Sequence, residues 1–201
     1  MAEKKYKESE ANFPLYLFHE GTNRNIYEYF GAHPEKSGDG EGYIFRVWAP
    51  HAQRVSVVGD FNGWDENSNV MHRVATDHEV FELFIAGLKQ YDNYKYCITT
   101  ANGNRILKAD PIAFHAETAP ETASKLYDLS GYRWNDKQYF EELSQKNVYS
   151  SPMNTYEVNL LSWKRHADGN FLSYRDLAKE LVPYVKEMGY THVEFMPVTE
   201  F

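Results

Sequence analysis

The spacing of apolar residues changes once along this chain, and that change limits what it can fold into. Between Tyr43 and about Asp128 the runs alternate at every second position; beyond Pro152 they read as strand, helix, strand. In the first region Tyr43, Phe45 and Val47 alternate with Ile44, Arg46 and Trp48, and Val55 and Val57 continue the alternation after the turn at Ala49-Pro50. Each such strand has a core face and a second face. A further pair, Val80 to Ile85 and Tyr94 to Thr99, is joined by GLKQYDN, and the Asn-Gly of TANGN, ending at Asn104, marks a tight hairpin. Short strands at this spacing predict an immunoglobulin-like antiparallel β-sandwich of about 100 residues, with Trp48 assigned to its core.

The second region follows different rules. TYEVNLL (Thr155 to Leu161) and YTHVEFMPV (Tyr190 to Val198) read as strands, and FLSYRDLAKELVPYVKEMG between them reads as a helix. Ser173 with Asp176 three residues on resembles a capping box, Leu177, Leu181, Tyr184, Val185 and Met188 share a face, and Gly189 supplies the stop. Pro183 removes one amide donor and is expected to kink the helix. Apolar strands flanking a helix imply a parallel unit covered on both faces. The stretch from Ser150 to Phe201 holds only one strand-helix-strand, where a complete eightfold barrel takes about 250 residues, so this domain is expected to be incomplete. The expected division is an arm over 1–21, the sandwich over 22–128, a linker over 129–152 that packs on both neighbours, and the start of a (β/α)8 barrel over 153–201. The class is mainly β.

Charge narrows the partners. A formal net charge of −8 repels phosphate backbones, so neither nucleic acid nor an anionic membrane is an expected partner, and a neutral ligand suits the chain better. The aromatic share of 16%, with 16 Tyr and 4 Trp, exceeds what a core needs and asks for a surface use. Cys97 is the single cysteine, so no internal disulfide forms, its side chain is expected to be buried, and the cytoplasm is the expected compartment. MAEKKYKESE has no apolar centre of a signal peptide, and no run is long enough to span a bilayer.

The run RVWAPHAQRVSVVGDFNGWD, with YKYCITTANGNRILKADPIAF and ETASKLYD, resembles the glycogen-recognition sandwich ahead of the barrel in branching and debranching enzymes of the alpha-amylase superfamily. SPMNTYEVNLLSWKRH, LSYRDLAKELVPYVKEMGYTHVEFMPVTE and FHEGTNRNIYEYFGAHP are similar to the 1,4-alpha-glucan (glycogen) branching enzyme family in particular. That family shows His-Leu-Gly-Ser-Trp where this chain has Asn159-Leu160-Leu161-Ser162-Trp163, and Leu161 in place of glycine crowds the loop above the barrel.

The resemblance implies transfer of an alpha-1,4-linked oligoglucan to a 6-hydroxyl by double displacement, with an Asp nucleophile, a Glu acid/base and a second Asp that orients the sugar. A retaining transfer needs the first two carboxyls about 5–5.5 Å apart. The family carries them on the fourth, fifth and seventh barrel strands, so no catalytic residue is assigned here, and Glu157, Glu194 and Glu200 are not substitutes. The segment alone is expected to be inert, with alpha-glucan and the remainder of the barrel as its partners.

Four binding candidates follow from the resemblance. Trp64 matches an aromatic platform for a glucose ring, although it can equally be a turn residue covering the sandwich edge. Lys95 matches a basic residue that contacts sugar hydroxyls, or is a solvated strand residue. Arg105 stands near the place of a second platform tryptophan. Trp163 follows the first barrel strand, with Lys164, Arg165 and His166, on a path a glucan could take or in a loop packed on the linker, and Phe171 lies on the same path. The eight His show no metal spacing, and no metal or cofactor is implied. Two alternatives stand: a non-catalytic scaffold, and a debranching or trehalose-releasing relative.

Overall fold

A computed structural model describes residues 13–38 and 40–198. Most of the expected arm, and Glu200, lie outside the described residues. The chain divides into two units, Met1–Arg133 and Trp134–Phe201.

The first unit is a sandwich of two antiparallel sheets. One has the order β1-β2-β5-β4, from β1 (Gly31–Ser37), β2 (Gly40–Trp48), β5 (Asp77–Ala86) and β4 (His72–Val74). The other has the order β3-β6-β9-β8, from β3 (Arg54–Gly59), β6 (Asn93–Thr99), β9 (Ser124–Lys125) and β8 (His115–Ala116), with β7 (Arg105–Lys108) also paired to β6. The period-2 pattern fixes which side chains meet between them. Tyr43, Phe45 and Val47 of β2 and Phe81 of β5 share one core with Val55 and Val57 of β3, Tyr94 and Tyr96 of β6 and Leu126. Each large apolar side chain buried this way contributes about 1.5–3 kcal/mol. The TANGN turn closes as a hairpin, with Gly103 at φ 80 and the Thr100 amide donating to Asn104 O. The strands on either side of GLKQYDN do not pair; they belong to opposite sheets, so this connection crosses the sandwich.

Trp48 departs from its expected place in the core. Its residue is 45% exposed, because the side chain lies on the outer face of β2, where its Nε1 donates to Glu79 Oε2 at 3.0 Å and its ring meets Phe18 edge-on. Phe18 belongs to helix α1 (residues 13–19), and with Leu15, Tyr29, Phe30 and Val80 it forms a second small apolar cluster. The described end of the arm is therefore docked on the outer side of the first sheet.

Asp110 is the polar group the core is built around. Only 7% exposed, it accepts hydrogen bonds from Tyr94 Oη (2.7 Å), Tyr96 Oη (3.1 Å) and the Ile112 amide (2.9 Å). Burial raises its carboxyl above the ordinary 3.8, against the pull of those donors. The same burial and the facing carboxylate push both tyrosine hydroxyls up.

In the second unit, part of the stretch read as linker is helical, α2 (Lys137–Ser144). Strand β10 (Thr155–Val158) is shorter than predicted. Asn159 ends it by capping the short helix α3 (Leu160–Trp163), its side chain accepting from the Leu161 amide, so Leu160 and Leu161 are helical and not strand. Helix α4 (Tyr174–Glu187) starts at Ser173, whose Oγ accepts from the Asp176 amide, and runs through Pro183 to a stop at Gly189, φ 78. Of its apolar stripe Leu177, Leu181 and Val185 are buried, while Met188 is exposed. Strand β11 (His192–Phe195) pairs with β10 in parallel, Thr155 opposite His192. Val193, Phe195, Met196 and Val198 are exposed.

Candidate functional site

The Gly-Asp-Phe-Asn-Gly-Trp segment that follows β3 is a built turn. Asn62 is its hub: its Oδ1 accepts from the Gly59 amide, and its Nδ2 faces Val57 O, Ser68 Oγ and Asn69 Oδ1 at 2.7–3.0 Å. Gly63 at φ 62 and Trp64 at φ 60 turn the chain through two left-handed residues. The Trp64 amide then returns to Gly59 O. A non-glycine residue there is uncommon and its conformation is imposed by the surrounding bonds.

Hydrogen bonds carry the turn across to β6. Trp64 Nε1 donates to Asp60 Oδ1 at 2.9 Å, and Asp60 Oδ2 accepts from Asn93 Nδ2 at 3.0 Å. Since Tyr94 and Tyr96 point into the core, Asn93 and Lys95 share the opposite, outer face. Lys95 Nζ donates to Thr122 Oγ1 at 2.7 Å. The structure thus places Trp64 and Lys95 on one face of the second sheet, both half-buried, Trp64 bonded through Asp60 to Asn93 and Lys95 bonded to Thr122. Asp60, Asn93 and Thr122 were not singled out in the sequence. The signal for Asn93 was its position two residues before Lys95, and for Asp60 its place in the turn.

Toward the far end of β6 the face is closed by charge. Arg105 Nη1 donates to Glu66 Oε2 at 3.0 Å and Nη2 to Asn67 Oδ1 at 3.3 Å. Exposed pairs of this kind contribute about 0–1 kcal/mol, so this one orients the loop more than it holds it. Beneath lies Cys97, buried, its thiol pushed up by that burial. Asn93 Oδ1 is enclosed without a hydrogen-bond partner among the described residues.

The chemistry of such a face suits binding. It offers an indole with its N–H fixed, an ammonium group and a hydroxyl, and both oxygens of Asp60 are already engaged. An aromatic plane with a few polar groups beside it suits a neutral, ring-shaped ligand.

The other two candidates lie in the second unit. Trp163 is half-buried against the cluster of Val158, Leu181 and Val185, its ring 5.9 Å from Tyr184. Phe171 is 52% exposed, with the Arg165 guanidinium 4.3 Å over its ring. Glu157 and Glu194 sit opposite each other on β10 and β11. His19, Asp77 and Glu79 are a trio whose ligand-type atoms lie within 4.8 Å, which the spacing of histidines did not reveal. Protein groups already engage all three: His19 Nε2 is 2.6 Å from Asp77 Oδ2, and Glu79 accepts from Trp48. Among the described residues no helix is long and apolar enough to cross a membrane.

Comparison with known proteins gives a consistent result. Residues 29–113 match the family described as carbohydrate-binding module 48 (isoamylase N-terminal domain). The chain is 47% identical over 186 residues to the 1,4-alpha-glucan branching enzyme GlgB of Bacillus subtilis (strain 168), covering 92% of this chain and 30% of that protein. It is 48% identical over 191 residues to the enzyme of the same name from Rubrobacter xylanophilus, covering 94% and 26%. Among solved structures, the pullulanase from Bacillus acidopullulyticus superposes with a TM-score of 0.57 at 21% identity, covering 86% of this chain and 22% of that one. The catalytic module of the glycogen-degrading pneumococcal virulence factor SpuA gives 0.58 at 18%, covering 86% and 27%. The chain spans under a third of the length of these branching enzymes.

Proposed function

We propose, on the premise that residues 29–113 match carbohydrate-binding module 48 and that the chain aligns with the branching enzymes over nearly all its length, that it is the amino-terminal portion of a 1,4-alpha-glucan branching enzyme. Its sandwich holds alpha-glucan on the outer face of the second sheet. The parent moves an alpha-1,4-linked oligoglucan to a 6-hydroxyl, and strand-helix-strand β10-α4-β11 begins its barrel. The carboxylates for that transfer belong to later strands, so this portion contributes binding and not chemistry. Identity near half to branching enzymes, against about a fifth to the pullulanase, favours branching over debranching.

The observation that carries the binding reading is the Trp64-Asp60-Asn93 chain of hydrogen bonds, which fixes an indole plane beside Lys95 and Thr122. Glucose rings present apolar faces that lie against such a plane, while the ammonium and hydroxyl meet ring hydroxyls. Trp163 and Phe171 extend the reading to the barrel side, where the exposed Phe171 is the stronger of the two contacts.

Calorimetric titration with maltoheptaose tests it. Trp64→Ala is expected to weaken binding about tenfold, equivalent to about 1.4 kcal/mol, and Lys95→Ala less. The scaffold reading draws on the Arg105–Glu66 pair, which occupies the place of a second aromatic. Heats equal to dilution at millimolar sugar would leave only the scaffold.

A further inference from the structure

The outer face of the second sheet continues past Asn93, away from Arg105. Asn93 pairs with Lys125 and Lys125 with His115, so these three side chains stand in one row across β6, β9 and β8. The pairing runs on: the Leu126 amide donates to Asp92 O and the Tyr91 amide to Leu126 O. Leu126 points into the core, which puts Tyr127 on the outer face with Lys125. Three rings meet there. Tyr91 lies 5.7 Å from His115 and 5.8 Å from Tyr127, and His115 lies 5.5 Å from Tyr127.

Two features separate this cluster from ordinary packing. Tyr91 is 55% exposed, so its ring shields little core. It also holds φ 75, a conformation costly for a bulky residue and one that asparagine or glycine would take more readily. The cluster braces a tyrosine outward at an energetic cost. Beside Tyr127 a groove of about 340 Å³ is bordered by Gln90, whose amide offers hydrogen-bonding groups, and by Asp128, whose two oxygens accept from Ser130.

We propose that Tyr91, braced by His115 and Tyr127, is a second alpha-glucan contact on the sandwich, continuing the path that starts at Trp64 and Lys95. The proposal rests on the glucan reading of that face. Tyr91 stands four positions before Lys95, in the turn that leads into β6, so at most about 13 Å separates them at about 3.3 Å per residue, a span that several linked rings cover. A neutral polymer fits. The contact adds reach for long chains and nothing for short ones.

The test is calorimetric titration of the 201-residue chain with maltotriose and with maltoheptaose, in the wild type, Tyr91→Asn, Tyr91→Phe and Trp64→Ala. Asparagine removes the ring and suits the positive φ, so the melting temperature of Tyr91→Asn is expected to hold or rise, whereas a ring needed for folding would lower it. Its maltoheptaose affinity is expected to fall about three- to tenfold, with maltotriose unchanged and Tyr91→Phe like wild type. Maltoheptaose binding unchanged in Tyr91→Asn but lost in Trp64→Ala would overturn this contact and keep the function proposed above. Absence of binding in the wild type would overturn both, and an equal loss for both sugars would overturn the claim of reach.

Discussion

Replacing Asp110 by alanine removes the acceptor on which two buried phenols depend. Tyr94 and Tyr96 are each 1% exposed and both donate to the same oxygen, Oδ2. An enclosed donor left without a partner costs about 1–3 kcal/mol, so two cost about 2–6 kcal/mol, with a smaller loss for the half-buried Ile112 amide. A domain of this size has about 5–15 kcal/mol in total, so Asp110→Ala is expected to lower the melting temperature of the sandwich by about 10 °C or more. Guanidinium unfolding followed by tyrosine and tryptophan fluorescence reads the effect. The mechanism is tested by the background: with Tyr94→Phe and Tyr96→Phe already present, the same change should cost at least about 2 kcal/mol less. Equal costs in both backgrounds would refute the account of orphaned phenols. Asp110 also sets a pH dependence. Its folded-state pKa is raised above 3.8, so its contribution is fully present below that pH and is lost as pH rises through the folded value. Asp110→Asn cannot titrate, and the stability of the wild type relative to it should decline over that range.

Gly59→Ala should be among the most damaging single changes, because a Cβ there would stand 2.1 Å from Asn93 O and 2.5 Å from the Phe61 ring. The turn carrying Trp64 and the β3–β6 pairing cannot both survive, and a loss of at least about 3 kcal/mol is expected, read as insoluble or molten protein by circular dichroism. Cys97 should resist a thiol reagent at pH 8 until the sandwich unfolds, since burial both covers it and raises its pKa; complete labelling of the native chain within minutes would contradict its placement.

Alternation separated Tyr43, Phe45 and Val47 from Ile44, Arg46 and Trp48, because period 2 states which side chains share a face; which of the two faces is the core only the structure shows. Nor does alternation state which sheet a strand joins. Nothing in GLKQYDN distinguishes a hairpin from a crossing between sheets; the strand pairings, with β5 beside β2 and β6 beside β3, show the latter. Trp48 was misplaced because its bulk argued for burial while its position, in phase with Arg46, put it outside; the phase won, and α1 gave it a partner. Leu160 and Leu161 look like the end of a strand, yet the cap at Asn159 redirects the chain. At the candidate site the resemblance supplied Trp64 and Lys95, whereas Asp60, Asn93 and Thr122 act through bonds between residues far apart in sequence. Tyr91 was silent, since no residue pattern announces a left-handed tyrosine.

The most direct measurement is a nitrogen-15 heteronuclear spectrum of the chain titrated with maltoheptaose. The account predicts saturable shifts of the Trp64 indole N–H and of amides around Asn93, Lys95 and Thr122, extending to Tyr91 and Tyr127, with the core amides of β2 and β5 unmoved. A spectrum unchanged at millimolar sugar, or shifts confined to the opposite sheet, would contradict it.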